Sequence, residues 1–209
     1  MTEEDFFEQG YYITKAPNDI QSMLWQIIHT TNWVKTPHKT FLQYETDYLK
    51  IPSWHPEITT NSNKPYLGNH YWGSKDPDKH PRELVKVGEI TMNNPCFSIL
   101  NEHREMKLKY MTMWNGAGEL PWHSDVNDST DIIVLYYMTD QDYWDDSWGG
   151  VLEVRKNFSD KDLYYNKVQP LSSTMVVLNN MNPMLQHKIT AMLNPEINRY
   201  TFNFCYSWT

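Results

Sequence analysis

The sequence predicts a mainly β fold of the α+β type, with a two-sheet β-sandwich or barrel in the second half of the chain and supporting helices in the first half. Three observations predict it. Strand-like runs, separated by turns and one acidic loop, follow one another from residue 107 onward. One of them, Ile132–Met138, is almost entirely apolar, which is typical of a strand buried on both faces. Earlier in the chain, apolar residues recur at helical spacing after Asn18.

Length and composition indicate one globular domain. At 209 residues the chain can bury one sizeable core, so we expect a single domain over 1–209. Within it, residues 1–106 are expected to form a helical and loop-rich support and rim, and residues 107–209 the β core. Aromatic residues make up 14% of the chain, a high share that favours an ordered protein over a disordered one.

Charge and cysteine content limit the partners and the compartment. A formal net charge of −8 disfavours binding to nucleic acid or to an anionic membrane surface. Cys96 and Cys205 are far apart, which predicts neither a disulfide framework nor a cysteine zinc site. No apolar run has the length of a membrane span, and the N-terminus does not resemble a signal peptide. We therefore expect a soluble, cytoplasmic protein, and the sequence leaves its oligomeric state open.

The first half of the chain predicts few regular elements. Residues 10–14 are typical of a short strand, and a helix is predicted from Asn18 because Ile20, Leu24 and Ile27 share one face. Between 36 and 82 no period is sustained, and prolines and glycines predict loops and short strands that lie over the rim of a site. A second helix is predicted to start at Asn94-Pro95 and to run to about residue 105.

The second half predicts a series of strands. After Ile132–Met138, the strand-like runs are 151–155, 174–178, 185–192 and 199–208. The loop that precedes residue 151 carries four aspartates and two tryptophans, Trp144 and Trp148. An acidic run of this kind is usually a solvated loop, and its tryptophans either anchor it or contribute to a binding rim.

A metal site is predicted by two short segments. In Pro121-Trp122-His123-Ser124-Asp125, which follows a strand-like run and a glycine-containing turn, His123 and Asp125 stand two residues apart. On an extended backbone such side chains point to the same face. His187 lies in a later strand-like run. Two neutral imidazoles and one carboxylate form the facial triad that leaves coordination positions open on Fe(II). Open positions are what a catalytic metal requires.

The last strand predicts a binding site for an anion. Arg199, Thr201 and Asn203 alternate with aromatic residues along 199–208, so small polar side chains share one face of this strand. If that face lines the inside of a barrel, Arg199 enters the interior. Arginine keeps its charge when buried and needs a paired anion there. A dicarboxylate provides one with bidentate geometry.

Taken in order, these segments resemble the 2-oxoglutarate/Fe(II)-dependent dioxygenases and, more narrowly, their prolyl-hydroxylase-like branch. The resemblance covers about half of the chain, from Lys107 to Trp208. It matches the iron triad with His123, Asp125 and His187, the closing strand with Arg199-Tyr-Thr-Phe-Asn-Phe, and the Gly-Gly-x-Leu strand with Gly149-Gly150-Val-Leu.

The resemblance implies a double-stranded β-helix, or jelly-roll, core and the activity of a hydroxylase. Oxidative decarboxylation of 2-oxoglutarate to succinate would be coupled to hydroxylation of a substrate C–H bond. Fe(II), 2-oxoglutarate and O₂ are the implied cofactor and cosubstrates, and ascorbate stays open as an accessory reductant. The branch favours prolyl residues in a peptide or protein, which would be the partner of this chain.

Further site residues follow from the same resemblance. Arg199 would bind the distal carboxylate of 2-oxoglutarate, and Tyr137 and Asn203 match positions that contact the cosubstrate in some relatives. Several relatives carry a tyrosine nine or ten residues before the first histidine, where this chain has Trp114 and Met113. Trp114, with the loop tryptophans Trp144 and Trp148, is assigned to an aromatic substrate rim suited to a proline ring.

Other functions remain compatible with the same residues. A dioxygenase acting on a small molecule or a nucleobase would use the same core, because fold and cofactor do not fix the substrate. A zinc hydrolase would use the same ligands, with a water in the open position. A non-catalytic jelly-roll binding module would carry them as a vestige.

Overall fold

The computed structural model describes residues 3–30, 34–35, 68–71, 82–94, 106–116, 120–125, 130–156, 165–194 and 196–209. Its helices are α1 (Glu3–Gln9), α2 (Asn18–Thr30) and α3 (Arg82–Met92). Its strands are β1 (Tyr11–Lys15), β2 (Val34–Lys35), β3 (Gly68–Tyr71), β4 (Met106–Gly116), β5 (Leu120–His123), β6 (Ile132–Met138), β7 (Leu152–Lys156), β8 (Asn166–Val168), β9 (Thr174–Asn179), β10 (Leu185–Ile189) and β11 (Tyr200–Trp208).

Two antiparallel sheets form the core. The larger sheet has the order β1-β9-β6-β11-β4-β3-β2, and the smaller has the order β5-β10-β7-β8. From β4 onward the chain passes back and forth between the two sheets, apart from the β7–β8 pair, which stays in the smaller one. This winding is that of a double-stranded β-helix, so the predicted mainly β, jelly-roll core is confirmed.

The helices cover the outer face of the larger sheet, as predicted. The aromatic side chains of β11 face them, and the buried cluster that results includes Ile20, Leu24, Leu84, Val87, Phe202 and Phe204. Two buried hydrogen bonds join α3 to this sheet. The Tyr206 hydroxyl donates to the Gly88 carbonyl at 3.0 Å, and the hydroxyls of Thr91 and Tyr136 lie 2.8 Å apart. The larger sheet is therefore buried on both faces, which explains the continuous apolar run of β6.

Helix α3 is where the structure departs from the expected first half. Its buried residues Leu84, Val87, Gly88 and Thr91 follow helical spacing, and this helix is not among those predicted. Gly88 permits a close approach, because a Cβ there would lie 2.7 Å from Leu108 Cδ2. The helix predicted from Asn94 lies almost entirely outside the described residues, as does most of the segment from 36 to 82. Helix α1 was not predicted.

The connections between successive strands lie at two opposite ends of the sandwich. At the first end, β5 leads to β6, β7 to β8, and β9 to β10; at the second end, β6 leads to β7, β8 to β9, and β10 to β11. We call them the His123 end and the Arg199 end, because His123 closes β5 at the first and Arg199 precedes β11 at the second. Of the helices described, none has both the length and the apolar character that a membrane crossing requires.

Candidate metal centre

Strands β5 and β10 bring the two predicted histidine ligands together. His123 and His187 are directly opposed in the antiparallel pair, and their ring centroids lie 4.1 Å apart. Directly opposed residues share a face of the sheet. His187 is also opposed to Val154, which belongs to the buried cluster between the two sheets. Both imidazoles therefore point to the interior of the sandwich.

Asp125 completes the group from the residues that follow β5. Its Oδ1 lies 3.6 Å from His123 Nε2, and its Oδ2 lies 3.3 Å from His187 Nε2. One ligand atom from each of the three side chains lies within 4.8 Å of the others. The side chains of His123, Asp125 and His187 are 9%, 14% and 8% exposed, which leaves each a narrow contact with solvent.

The donor set fits a catalytic divalent metal. Two imidazole nitrogens and one carboxylate oxygen are the donor set that leaves coordination positions on Fe(II) for other ligands. A structural zinc site would instead close all four positions with protein side chains. The structure thus brings the predicted ligands together, and their role as iron ligands stays a prediction.

Arg199 is buried, as predicted, at the other end of the sandwich. It is only 1% exposed, and its Nη2 donates to the Thr201 hydroxyl at 3.0 Å. Its Cζ lies 5.6 Å from the ring centroid of Tyr137, which is opposed to Thr201 across β6 and β11. Burial raises the pKa of the Tyr137 phenol, although the nearby guanidinium lowers it in part. Tyr137 therefore stays a neutral hydroxyl beside a fixed positive charge.

Two glycines make room at this end. Gly150 has a φ of +68°, and a Cβ on it would lie 2.3 Å from Met192 Sδ and 3.0 Å from Arg199 Cδ. A Cβ on Gly149 would lie 1.8 Å from the Ala191 carbonyl oxygen. The Gly-Gly pair thus allows Ala191, Met192 and the stem of Arg199 to pass close to the backbone.

The remaining predicted residues fall in different places. Asn203 is half-buried on the same face of β11 as Thr201, so a cosubstrate contact stays a prediction. Trp114 is on β4, where its backbone is opposed to Thr201 and to His70, and its side chain lies outside the described part of the chain. The structure therefore leaves the rim role of Trp114 untested.

The two loop tryptophans, predicted either to anchor the loop or to contribute to a rim, lie against a small buried cluster. Trp144 is 5% exposed, packs with Val151 and Met192, and donates its indole N–H to the Gly149 carbonyl at 3.0 Å. Trp148 packs against the same cluster. Both lie on the β6–β7 connection at the Arg199 end, away from the end where His123 closes β5. These contacts anchor the loop, and the rim role of both tryptophans stays a prediction.

Sequence reasoning missed the partner of Arg199. Thr201 was placed on the polar face of the last strand but given no role of its own. A signal was available, because side chains two residues apart on a strand share a face and a threonine hydroxyl can accept from a guanidinium.

Comparison with known proteins agrees with this geometry. Residues 108–207 match the family model described as the 2OG-Fe(II) oxygenase superfamily. The match begins on β4 and ends on β11, so it includes every predicted metal and cosubstrate residue. No curated protein sequence matches the chain.

Solved structures share the fold at low sequence identity. A prolyl hydroxylase from Trichoplax adhaerens, solved in complex with a hypoxia inducible factor oxygen degradation domain peptide fragment, is similar with 14% identity and a TM-score of 0.59, over 99% of this chain and 87% of that one. A prolyl-4-hydroxylase from Pseudomonas putida is similar with 12% identity and a TM-score of 0.58, over 98% and 96%. The epimerase SnoN from nogalamycin biosynthesis, a non-heme alpha ketoglutarate dependent enzyme, is similar with 7% identity and a TM-score of 0.61, over 98% and 80%.

Proposed function

Since this chain belongs, through residues 108–207, to the 2OG-Fe(II) oxygenase superfamily, we propose that it hydroxylates prolyl residues in a peptide or protein. The observation that carries the proposal is the convergence of His123, Asp125 and His187 inside the sandwich, with a buried arginine at its other end. Family membership makes the protein an enzyme that uses Fe(II), 2-oxoglutarate and O₂.

Each group in the site has a distinct task in this proposal. His123, Asp125 and His187 would hold Fe(II). When bound, Fe(II) with 2-oxoglutarate and O₂ supplies the oxidising power for hydroxylation, and 2-oxoglutarate leaves as succinate and CO₂. Arg199 binds the distal carboxylate of 2-oxoglutarate, because a guanidinium presents paired N–H donors that match a carboxylate. Thr201 fixes the orientation of that guanidinium by accepting from its Nη2.

The residues between the two sheets keep water from the reaction. Tyr137, Leu135, Val154 and Cys205 belong to a buried cluster that lies between the two sheets. A low-polarity surrounding of this kind strengthens the pairing between Arg199 and a carboxylate. The neutral Tyr137 hydroxyl adds a hydrogen-bonding group beside the guanidinium without adding charge, and we propose it as a second contact to the cosubstrate.

A prolyl substrate is supported by the similar structures and by chemistry. Two of the similar proteins are named prolyl hydroxylases, and one of them was solved with a peptide fragment. The net charge of −8 favours a peptide over a nucleic acid as partner. We further propose that the enzyme works in the cytoplasm, and that residues 1–209 act as one domain in which 1–106 support the catalytic core.

Succinate release tests the proposal. The full chain is purified without oxygen, loaded with Fe(II), and supplied with 2-oxoglutarate, O₂ and a set of proline-containing peptides. Each peptide has a matched partner in which alanine replaces proline, and His123→Ala provides the metal-ligand control. We expect succinate release to rise with a subset of the proline peptides alone, and those peptides to gain one oxygen atom by mass spectrometry.

The other outcomes separate the alternatives. Succinate release that no peptide stimulates, but that a small molecule does, would replace the prolyl substrate by a small one and keep the dioxygenase. Equal and negligible release by the wild type and by His123→Ala would contradict catalysis altogether and favour a binding module. Peptide cleavage that depends on zinc would indicate a hydrolase.

A further inference from the structure

Strand β5, which carries His123, is weakly held by its own backbone. It has four residues and, among the strands that the structure describes, it lies at the edge of the smaller sheet and pairs with β10 alone. Two opposed pairs are formed, His187 with His123 and Ile189 with Leu120, and the register shifts between them. Pro121, inside the strand, has no N–H to donate to the ladder. A four-residue strand that carries a proline and a register shift forms few backbone hydrogen bonds that could fix the position of a metal ligand.

Side chains on the outer face of the smaller sheet compensate for this. Trp122 is next to His123 and therefore points away from the interior. The Arg155 guanidinium lies over its indole ring, with Cζ 4.1 Å from the ring centroid, and Lys188 Nζ lies 5.2 Å from the same centroid. Trp122 is thus in contact with both β7 and β10, and it spans three strands.

The two cations are themselves fixed. Arg155 donates from Nε and Nη2 to the side-chain oxygen of Gln186, at 3.1 and 3.0 Å. Lys188 Nζ lies 2.7 Å from Glu153 Oε2, and Glu153 is only 4% exposed. Each pair is directly opposed across β7 and β10, so the four side chains form a regular frame on the outer face.

The frame is in register with the metal ligands on the inner face. Gln186 and Lys188 flank His187, and Glu153 and Arg155 flank Val154, which is opposed to His187. A side chain that binds this frame from β5 therefore sets where β5 lies relative to His187. Trp122 is the residue of β5 whose ring makes these contacts.

We propose that Trp122 is a positioning residue that holds His123 at the metal site through the contacts of its ring with Arg155 and Lys188 on the opposite face of the sheet. The contact is a cation–π interaction, which depends on the aromatic ring and on the cation together. In this proposal Trp122 contacts neither the metal nor a substrate. The proposal rests on the proposed metal site and adds the contact that keeps strand β5 in place.

Metal binding by the full chain tests the proposal. Co(II) replaces Fe(II) as the probe, because its absorption spectrum reports both its binding and the geometry of its ligands. The variants are Trp122→Leu, which keeps apolar bulk without an aromatic ring, and Trp122→Phe, which keeps a ring. Arg155→Met and the double variant with Trp122→Leu complete a cycle. Tyr143→Leu, which removes an exposed aromatic residue at the Arg199 end, is the matched control.

We expect Trp122→Leu to weaken Co(II) binding about tenfold, as the loss of groups behind metal ligands commonly does. Trp122→Phe should stay close to the wild type, Tyr143→Leu should not change binding, and the cycle should show that Trp122 and Arg155 are coupled. The affinity of the Co(II)-loaded variants for 2-oxoglutarate should not change, because Arg199 lies at the other end of the sandwich.

Three results would overturn the proposal while the wild type still binds Co(II). They are unchanged binding by Trp122→Leu, equal losses in Trp122→Leu and Trp122→Phe, and additive effects in the cycle. A general loss of stability would instead lower the affinity for Co(II) and for 2-oxoglutarate together, which also contradicts a positioning role. Failure of the wild type to bind Co(II) would contradict the proposed metal site itself.

Discussion

Replacing Arg199 by methionine removes the proposed anchor of 2-oxoglutarate and retains most of the apolar volume of the side chain. Arg199 is 1% exposed, so a carboxylate that binds it is withdrawn from water together with the guanidinium. Removal of one partner from such a buried charge pair costs about 2–5 kcal/mol. At about 1.4 kcal/mol for each factor of ten, we expect the Kd for 2-oxoglutarate to rise roughly 30- to 4,000-fold.

The same substitution should leave the metal site almost intact. Arg199 precedes β11 at the end of the sandwich opposite to the end where His123 closes β5. We expect the Co(II) affinity of Arg199→Met to stay within about threefold of the wild type, a change of less than 1 kcal/mol. Calorimetric titration of the Co(II)-loaded protein with 2-oxoglutarate, without oxygen, gives one affinity, and titration with Co(II) alone gives the other.

Two graded variants sharpen this prediction. Thr201→Val removes the hydroxyl that accepts from Arg199 Nη2 at 3.0 Å, and should weaken 2-oxoglutarate binding about 3- to 10-fold, the loss of one hydrogen bond. Arg199→Lys keeps the charge without the paired donors and should fall between Thr201→Val and Arg199→Met. Equal losses of metal and 2-oxoglutarate affinity in Arg199→Met, or no loss of 2-oxoglutarate affinity, would refute the assignment of Arg199.

Three further predictions concern the packing of the Arg199 end and of the larger sheet. Gly150→Ala places a Cβ 2.3 Å from Met192 Sδ at a φ of +68°. The substitution should lower the free energy of unfolding, measured in urea, by about 1–2 kcal/mol. An unchanged free energy of unfolding would contradict the tight packing at Gly150. Trp144→Phe leaves the Gly149 carbonyl without its indole donor and should lower the free energy of unfolding by about 1–3 kcal/mol, while the KM for a peptide substrate stays unchanged. A large rise in that KM with little loss of stability would instead support the rim role of Trp144. Burial raises the pKa of Tyr206 well above its ordinary value of 10.0, so its contribution to the stability of the fold is complete below pH 10.0 and is lost as the pH rises further. Urea unfolding of Tyr206→Phe should therefore depend less on pH above 10.0 than that of the wild type, and an equal dependence would contradict this.

The β core could be predicted because local pattern and tertiary burial agree there. The apolar run of β6 and the alternating pattern of β11 both reflect a larger sheet that is buried between the helices and the smaller sheet. The convergence of the candidate metal residues could be predicted because the required geometry is local for His123 and Asp125. His187 was identified by its place in an ordered set of motifs, since a single histidine in a strand carries little information.

Other elements could not be predicted, for physical reasons that the structure makes visible. The apolar stripe of α3 includes Gly88 and Thr91, and they are buried through a close approach to Leu108 and a hydrogen bond to Tyr136. Such contacts lie between distant parts of the chain, so the burial of a glycine and a threonine on the inner face of the helix has no local signal. The direction of the loop tryptophans also depends on tertiary packing, because the end of the sandwich on which Trp144 lies follows from the sheet topology.

The fate of oxygen in a single turnover tests the account most directly. The Fe(II)-loaded wild type is given 2-oxoglutarate, heavy-isotope O₂ and a proline-containing peptide that stimulates succinate release. The account predicts labelled oxygen in the succinate and in a hydroxylated proline of the peptide, in equal amounts, and neither product with Asp125→Ala. A peptide oxygen that comes from water, or equal product formation by Asp125→Ala, would contradict it.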